Sequence, residues 1–319
     1  MQQTPVNRVL PVYEQWLARW PRPADLAKEA PGEAVRAWGR LGYPRRALRL
    51  HGAAVAITER HNGDVPTEHA QLLALPGIGE YTAAAVASFA YGQRHAVLDT
   101  NVRRVFARAV TGVQYPPNAT TAAERKLARA LLPEDESTAS RWAAASMELG
   151  ALVCTAKNET CHRCPIAGQC AWRLAGKPEH DGPPRRGQTY AGTDRQVRGR
   201  LLAVLREAVT PVPQSALDRV WDEPVQRARA LDGLVADGLV EPLPGGLYRL
   251  PTAESTDRRP FFTAHRLPIH SPRPSKHSLA RDKNPQFHPI RRPVLPRSYI
   301  RYTTDGQPSV RRRLPRTTP

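Results

Sequence analysis

All four cysteines of this 319-residue chain lie between positions 154 and 170, with six, two and five residues separating Cys154, Cys161, Cys164 and Cys170. Nothing else in the sequence constrains it so tightly. No stretch approaches the roughly 18 consecutive apolar residues of a membrane span, and the N-terminus lacks the charged-then-apolar order of a secretory leader. A cytoplasmic protein without a membrane partner is expected. In that reducing compartment, clustered thiols point to a metal before a disulfide framework. Four thiolates so spaced suit structural zinc or an iron-sulfur centre, and spacing alone leaves both open.

The rest of the chain reads as helical. Val9, Leu10, Tyr13, Trp16, Leu17 and Trp20 recur at spacings of three and four, which makes one apolar stripe and predicts an amphipathic first helix. Proline and glycine then punctuate short helical runs, among them residues 24–30 and 45–60. Thr67 can cap a helix ending near Ala74, Leu75-Pro76-Gly77-Ile78-Gly79 breaks it, and residues 80–91 resume the pattern. A strand-like Ala96-Val97-Leu98 leads into Asp99, after which a helix opens through Val102, Val105 and Phe106. Further helices are predicted over 122–132 and 139–152. Beyond a Gly/Pro/Arg linker come helices over 197–208, 214–220 and 224–237, then a hairpin turning at Gly245-Gly246, the order of a winged helix.

The formal charge of +18 suggests a polyanionic partner, because cations that neutralise phosphates release condensed counterions. Residues 252–319 hold 15 Lys+Arg against 4 Asp+Glu and 11 of the 32 prolines. With no long apolar run to offset the entropy of ordering, this segment is expected to be a disordered basic tail. Such a tail attracts DNA without specificity or is simply solvated.

The break at 75–79 carries chemistry of its own. Two glycines let the backbone approach a phosphate, and the helix that follows offers unpaired amides. A Pro-Gly-x-Gly turn alone is an ordinary helix connection. Its company decides the matter: residues 75–83, Leu-Pro-Gly-Ile-Gly-Glu-Tyr-Thr-Ala, are followed by residues 97–105, Val-Leu-Asp-Thr-Asn-Val-Arg-Arg-Val, and then by the four cysteines. In motif, order and spacing the chain resembles the adenine DNA glycosylases of the helix-hairpin-helix, endonuclease III-like superfamily. The likeness runs from Gln2 to about Gly176 and takes in Gln2-Gln3-Thr4 and Leu41-Gly42-Tyr43.

That resemblance implies an all-α fold: a helix-hairpin-helix glycosylase domain over 1–152, a 4Fe-4S cluster loop over 153–176, and a linker over 177–192. A winged-helix-like unit over 193–251 and the tail over 252–319 complete it. It implies Asp99 as the carboxylate that stabilises the oxocarbenium-like sugar, with Tyr81 and Asn101 in the catalytic group. A helix N-cap is the plainer role for an aspartate there. Cys154, Cys161, Cys164 and Cys170 become the cluster ligands. Leu75, Pro76, Gly77, Ile78 and Gly79 grip the backbone, Gln2, Gln3 and Thr4 probe the opened duplex, and Tyr43 wedges near the lesion. His162, Arg163 and Lys157 would present charge to DNA.

The expected partner is double-stranded DNA with A:8-oxoG or A:G mispairs, met by a monomer associated with the nucleoid. Tyr81 stands where the endonuclease III type carries a Schiff-base lysine, so hydrolysis without strand cutting is implied. An endonuclease III-like enzyme for pyrimidine lesions and a non-catalytic DNA-binding paralogue are the alternatives. The family's acid glutamate precedes Gln-Gln-Thr, so a start codon upstream of Met1, with the first helix, is expected; Glu14 does not match that motif. A β-rich Nudix-like domain usual in the family is replaced by residues 193–251, whose third helix could touch DNA or, given Asp232 and Asp237, dock a partner.

Overall fold

The computed structural model describes residues 4, 6–182 and 190–253, all within one compact unit. Helices dominate from the start. α1 (Val6–Arg19), α2 (Pro23–Ala27), α3 (Pro31–Trp38) and α4 (Arg45–Arg60) follow one another through tight turns. Prolines open α2 and α3, where a first-turn N–H has no helical partner to lose. The stripe on α1 divides. Trp16 packs edge-on against Trp20 and Trp38, at 4.9 and 5.8 Å between ring centroids, and bonds Ala37 O. Val6, Leu10, Tyr13 and Leu17 stay exposed, because α3 covers only the flank that carries Trp16.

α4 has two buried faces. Ala53, Ala56 and Ile57 form a core with α5 (His69–Leu73) and α6 (Glu80–Tyr91), through Leu72, Leu75, Ala83 and Ala87. Thr67 does not cap α5: Glu68 holds the N-cap position without a side-chain bond, and Thr67 gives its carbonyl to Gln93 Nε2. Residues 96–98 are not a strand. Among the described residues no neighbouring edge pairs with them, and Val97 is instead buried between Ala84 of α6 and Ala143 of the helix over 136–148.

Next come α7 (Thr100–Phe106), which runs into a π-helical turn at Ala107–Thr111, α8 (Ala122–Leu131) and α9 (Glu136–Glu148). α9 starts three residues before the apolar pattern does, because Asp135 caps it by accepting from Thr138 N. A second π-helical turn, Leu149–Val153, delivers the chain to Cys154, and two 3₁₀ turns lead to α10 (Ala171–Leu174). Part of the expected linker folds back here: Trp172 Nε1 donates to Pro178 O, and His180 N to Gln114 Oε1.

The C-terminal part comprises α11 (Asp194–Glu207), β1 (Val212–Pro213), α12 (Gln214–Asp218), α13 (Pro224–Ala236), β2 (Glu241–Leu243) and β3 (Leu247–Arg249). The antiparallel sheet has order β1-β3-β2, and Gly245 and Gly246, both at positive φ, turn the wing. This winged-helix arrangement shares one core with the N-terminal helices. Val197, Leu201, Leu202, Leu205, Leu234 and Leu239 pack with Trp20, Leu26, Val35, Ala47 and Ala54.

Polar bonds rim that junction: Gly32 N to Pro251 O, Arg36 to Arg206 O and Ala208 O, Arg206 to Val35 O, and Arg45 to Asp237. A Cβ on Gly32 would sit 2.6 Å from Pro251 O, so only glycine allows this approach. The expected tail begins later than residue 252, because Thr252 is tied to Arg249 and Glu241. Gln2, Gln3, residues 183–189 of the linker and the tail from 254 lie outside the described residues.

Candidate active site

Pro76 and Gly77 occupy the centre of a turn closed by Ile78 N–H on Leu75 C=O, with Gly77 at φ +75°. Proline second and a positive-φ glycine third is the signature of a type II turn. Leu75 is buried and Ile78 packs on the α4–α5–α6 core, which anchors the turn from below. Gly77 and Gly79 are exposed, and Gly79 is the N-cap of α6 with no side-chain cap, so the first amides of α6 stay open to a ligand.

Arg49 walls the turn. A Cβ on Gly77 would meet its Cβ, Cγ and Cδ at 2.5–2.9 Å, so the arginine stem lies flat against the glycine. One turn back along α4, the Arg46 guanidinium sits 5.3 Å from the Tyr43 ring centroid. Tyr43 is 53 % exposed and held at φ +48°, a conformation that non-glycine residues seldom adopt. Arg49 lies on Gly77 and Arg46 on Tyr43, and the two arginines are three residues apart on α4, so the four residues line one ridge. Thr4 joins its far end: its Oγ1 donates to Leu41 O at 3.3 Å.

Asp99 is the N-cap of α7. Its Oδ1 accepts from Val102 N at 2.7 Å and its Oδ2 from Asn101 Nδ2 at 2.8 Å. The buried Val97 before it fixes the carboxylate beside α6, where Tyr81 packs against the cluster of Ala84, Val97 and Ala143. Burial, then the nearby Asp99 charge, raises the Tyr81 phenol above its ordinary value. The helix cap and a carboxylate aimed beside Tyr81 therefore coexist in one residue.

Behind Asp99 the bonds continue inward. Asn101 Oδ1 accepts from Arg104 Nη2 at 2.9 Å, and Arg104 Nε donates to Cys154 O at 2.7 Å. Gly150 makes this possible: a Cβ there would lie 2.7 Å from Asn101, so the π-helical turn after α9 rests directly on the first turn of α7. Asp99, Asn101, Arg104 and the first cysteine are linked by three consecutive side-chain contacts.

The four cysteines share one region. Burial raises the Cys164 thiol, and Cys154, Cys170 and Cys161 push it the same way through their charges. Among the described residues no tight group of three or more His, Cys, Asp or Glu side chains is placed to hold a single metal ion. A multi-iron cluster holds its thiolates further apart than one ion does, and four cysteines on one short loop beside the buried Arg104 and Arg108 fit that wider, anionic centre. His162, Arg163 and Lys157 are exposed around it.

Arg49, Arg104 and Arg108 escaped the reading of the sequence. Their signal was present: Asn101, Arg104 and Arg108 repeat at three and four on one helix face, and polar residues there compete with Val102 and Val105 for the interior. Residues 1–130 match the family of the HhH-GPD superfamily base excision DNA repair protein. The adenine DNA glycosylase of Mycobacterium tuberculosis is 52 % identical over 252 residues, 79 % of this chain and 82 % of its own. That of Mycolicibacterium smegmatis is 51 % identical over 259 residues, 81 % of this chain and 87 % of its own. The Homo sapiens enzyme of that name is 38 % identical over 175 residues, 54 % of this chain and 32 % of its own. Hairpin, capped aspartate and cysteine loop sit in a helical frame, half of whose aligned residues are identical in two such enzymes, and the chain belongs to the adenine DNA glycosylases.

Proposed function

We propose that the chain hydrolyses the N-glycosidic bond of adenine mispaired with 8-oxoguanine or guanine in double-stranded DNA, leaving the strand uncut. The observation that carries this reading is Asp99, a carboxylate fixed by two hydrogen bonds at a helix N-terminus beside the half-buried Tyr81. As the bond to adenine breaks, positive charge develops on the sugar, and a preorganised carboxylate stabilises it without having to reorient. Tyr81 has no amine, so it forms no Schiff base with the opened sugar. The Gly77–Arg49–Arg46–Tyr43 ridge grips phosphate through the hairpin and holds the exposed Tyr43 ring ready to stack where the base leaves. Thr4 bonds Leu41 O, two residues before Tyr43.

Cys154, Cys161, Cys164 and Cys170 would hold a 4Fe-4S cluster. When bound, it supplies an anionic core that cross-links the loop after α9. Equal amounts of iron and acid-labile sulfide in the purified protein support this reading, and zinc in their place overturns it. The catalytic reading is tested by single-turnover excision on A:8-oxoG and A:G duplexes with the native chain and Asp99→Asn. Asparagine is as good a cap as aspartate, so the fold persists, while excision falls about a hundredfold or more. Native-like excision by Asp99→Asn, or a borohydride-trapped covalent adduct with the native chain, would refute it.

A further inference from the structure

Two arginines lie buried along one face of α7 and its π-helical turn, Arg104 at 9 % and Arg108 at 1 % exposure. Neither is ion-paired with an Asp or Glu among the described residues. Two cations buried together are costly unless an anion lies close by. Asp99 acts on Arg104 and Glu159 on Arg108 only at a distance, and the anionic group that Arg108 touches is the cysteine site. Arg108 Nη1 donates to Cys154 Sγ at 3.4 Å.

The rest of the Arg108 guanidinium is locked. Nε donates to Gln114 O at 3.0 Å, Nη1 also reaches Thr155 O at 2.8 Å, and Cζ lies 4.6 Å from the Trp172 ring centroid. Arg104 has a different partner on the same loop, the Cys154 carbonyl rather than its sulfur. One arginine thus serves the backbone and Asn101, and the other serves a thiolate.

We propose that Arg108 is the residue that tunes the iron-sulfur centre, a permanent cation whose hydrogen bond to the Cys154 thiolate sets the cluster's reduction potential. This rests on the cofactor reading above. Electron density on a cluster sulfur is stabilised by a hydrogen-bond donor, and most by a charged one in a dry site, so the donor favours the reduced member of any couple and raises its potential. A lysine at 108 keeps the charge but lacks the planar fork that reaches sulfur, Thr155 O and Gln114 O together.

The test is protein-film voltammetry of the full chain, reconstituted without oxygen, with the electrode exchanging the electron. Arg108→Gln is expected to shift the midpoint to more negative potential, and Arg108→Lys to shift it less. A purely structural arginine would leave the midpoint of a loaded variant where it was, and that result overturns the proposal. If Arg108→Gln does not load iron, pulsed EPR of the native chain carrying ¹⁵N-arginine, poised in a paramagnetic state, decides instead. A resolved arginine nitrogen coupling supports the contact, and its absence overturns it. Iron and sulfide analysis of the native chain separates the two levels: without iron the cofactor reading falls and this one falls with it, whereas an iron-loaded chain with an unmoved midpoint sinks only the role of Arg108.

Discussion

Leu234→Ala probes how the winged-helix part relates to the hairpin over residues 75–79. Leu234 is 0 % exposed on α13, in a core that also contains Val35, Ala47 and Ala54 from α3 and α4. Removing a fully buried leucine side chain costs about 2–5 kcal/mol in transfer and cavity terms. For a unit of this size each kcal/mol lowers the melting midpoint by roughly 2–4 °C, so a fall of about 4–20 °C is expected. Because the core is shared, the loss should appear as one transition. Native-state hydrogen exchange at Ala53, Ala56 and Ile57, on the opposite face of α4, should lose protection by the same free energy. Val225→Ala is the control: that side chain is 68 % exposed, and the change should stay within about 0.5 kcal/mol. Two separate transitions, with α4 protection unaltered by Leu234→Ala, would refute the shared core.

Arg49→Ala should lower the slope of log binding constant against log salt concentration by about one, leaving the excision rate of bound DNA in place; an unchanged slope rules out its phosphate contact. Asn101→Ala leaves Asp99 Oδ2 and one Arg104 donor without their partner. A charged hydrogen bond is worth about 1.5–3 kcal/mol, so single-turnover excision should fall roughly tenfold or more with DNA affinity unaltered, and a native rate would show that Asn101 does not position the carboxylate. His51 is buried and its Nε2 donates to Glu29 O, and burial holds its imidazole below the ordinary value. The unfolded chain therefore binds more protons than the folded one as pH falls below about 6.5. Stability should be complete above that pH and decline below it until the folded imidazole also protonates. His51→Gln should flatten this decline in midpoint measured from pH 7 to 5, and an identical decline would exclude His51 as a source.

Local chemistry made much of this legible. Pro76-Gly77 announces its turn because proline presets one backbone angle and glycine alone tolerates the other. α4 and α6 match the expected residues 45–60 and 80–91, because glycine or proline marks their borders. Features that depend on distant partners were not legible. Ala96-Val97-Leu98 has strand composition, but a strand needs an edge beside it, and only packing reveals that Val97 meets two helices. β1 is two residues long, and its pairing with β3 comes from a wing more than thirty residues later. The apolar stripe on α1 showed amphipathicity but not which flank has a neighbour.

The winged-helix part illustrates the same limit at the level of function. Its fold order invites a DNA-reading role for α13, yet phosphate binding needs cations that are free to exchange their counterions. Both arginines of α13 are already engaged, Arg227 with Asp218 and Arg229 with Asp194. Arg198 pairs with Asp237, and Arg249 with Glu241. Asp237 also reaches across to Arg45 at the start of α4, so the acidic residue that makes α13 a poor DNA reader is the one that docks it. Exposed ion pairs of this kind add little stability, about 0–1 kcal/mol each. What they do is consume charge, whereas Arg49, beside the hairpin on the face of α4 turned away from the winged part, has no ion pair among the described residues. The division of labour follows from one helix with two faces: Ala47 and Ala54 hold the winged part, while Arg49 and Ile57 carry the turn that we propose meets DNA.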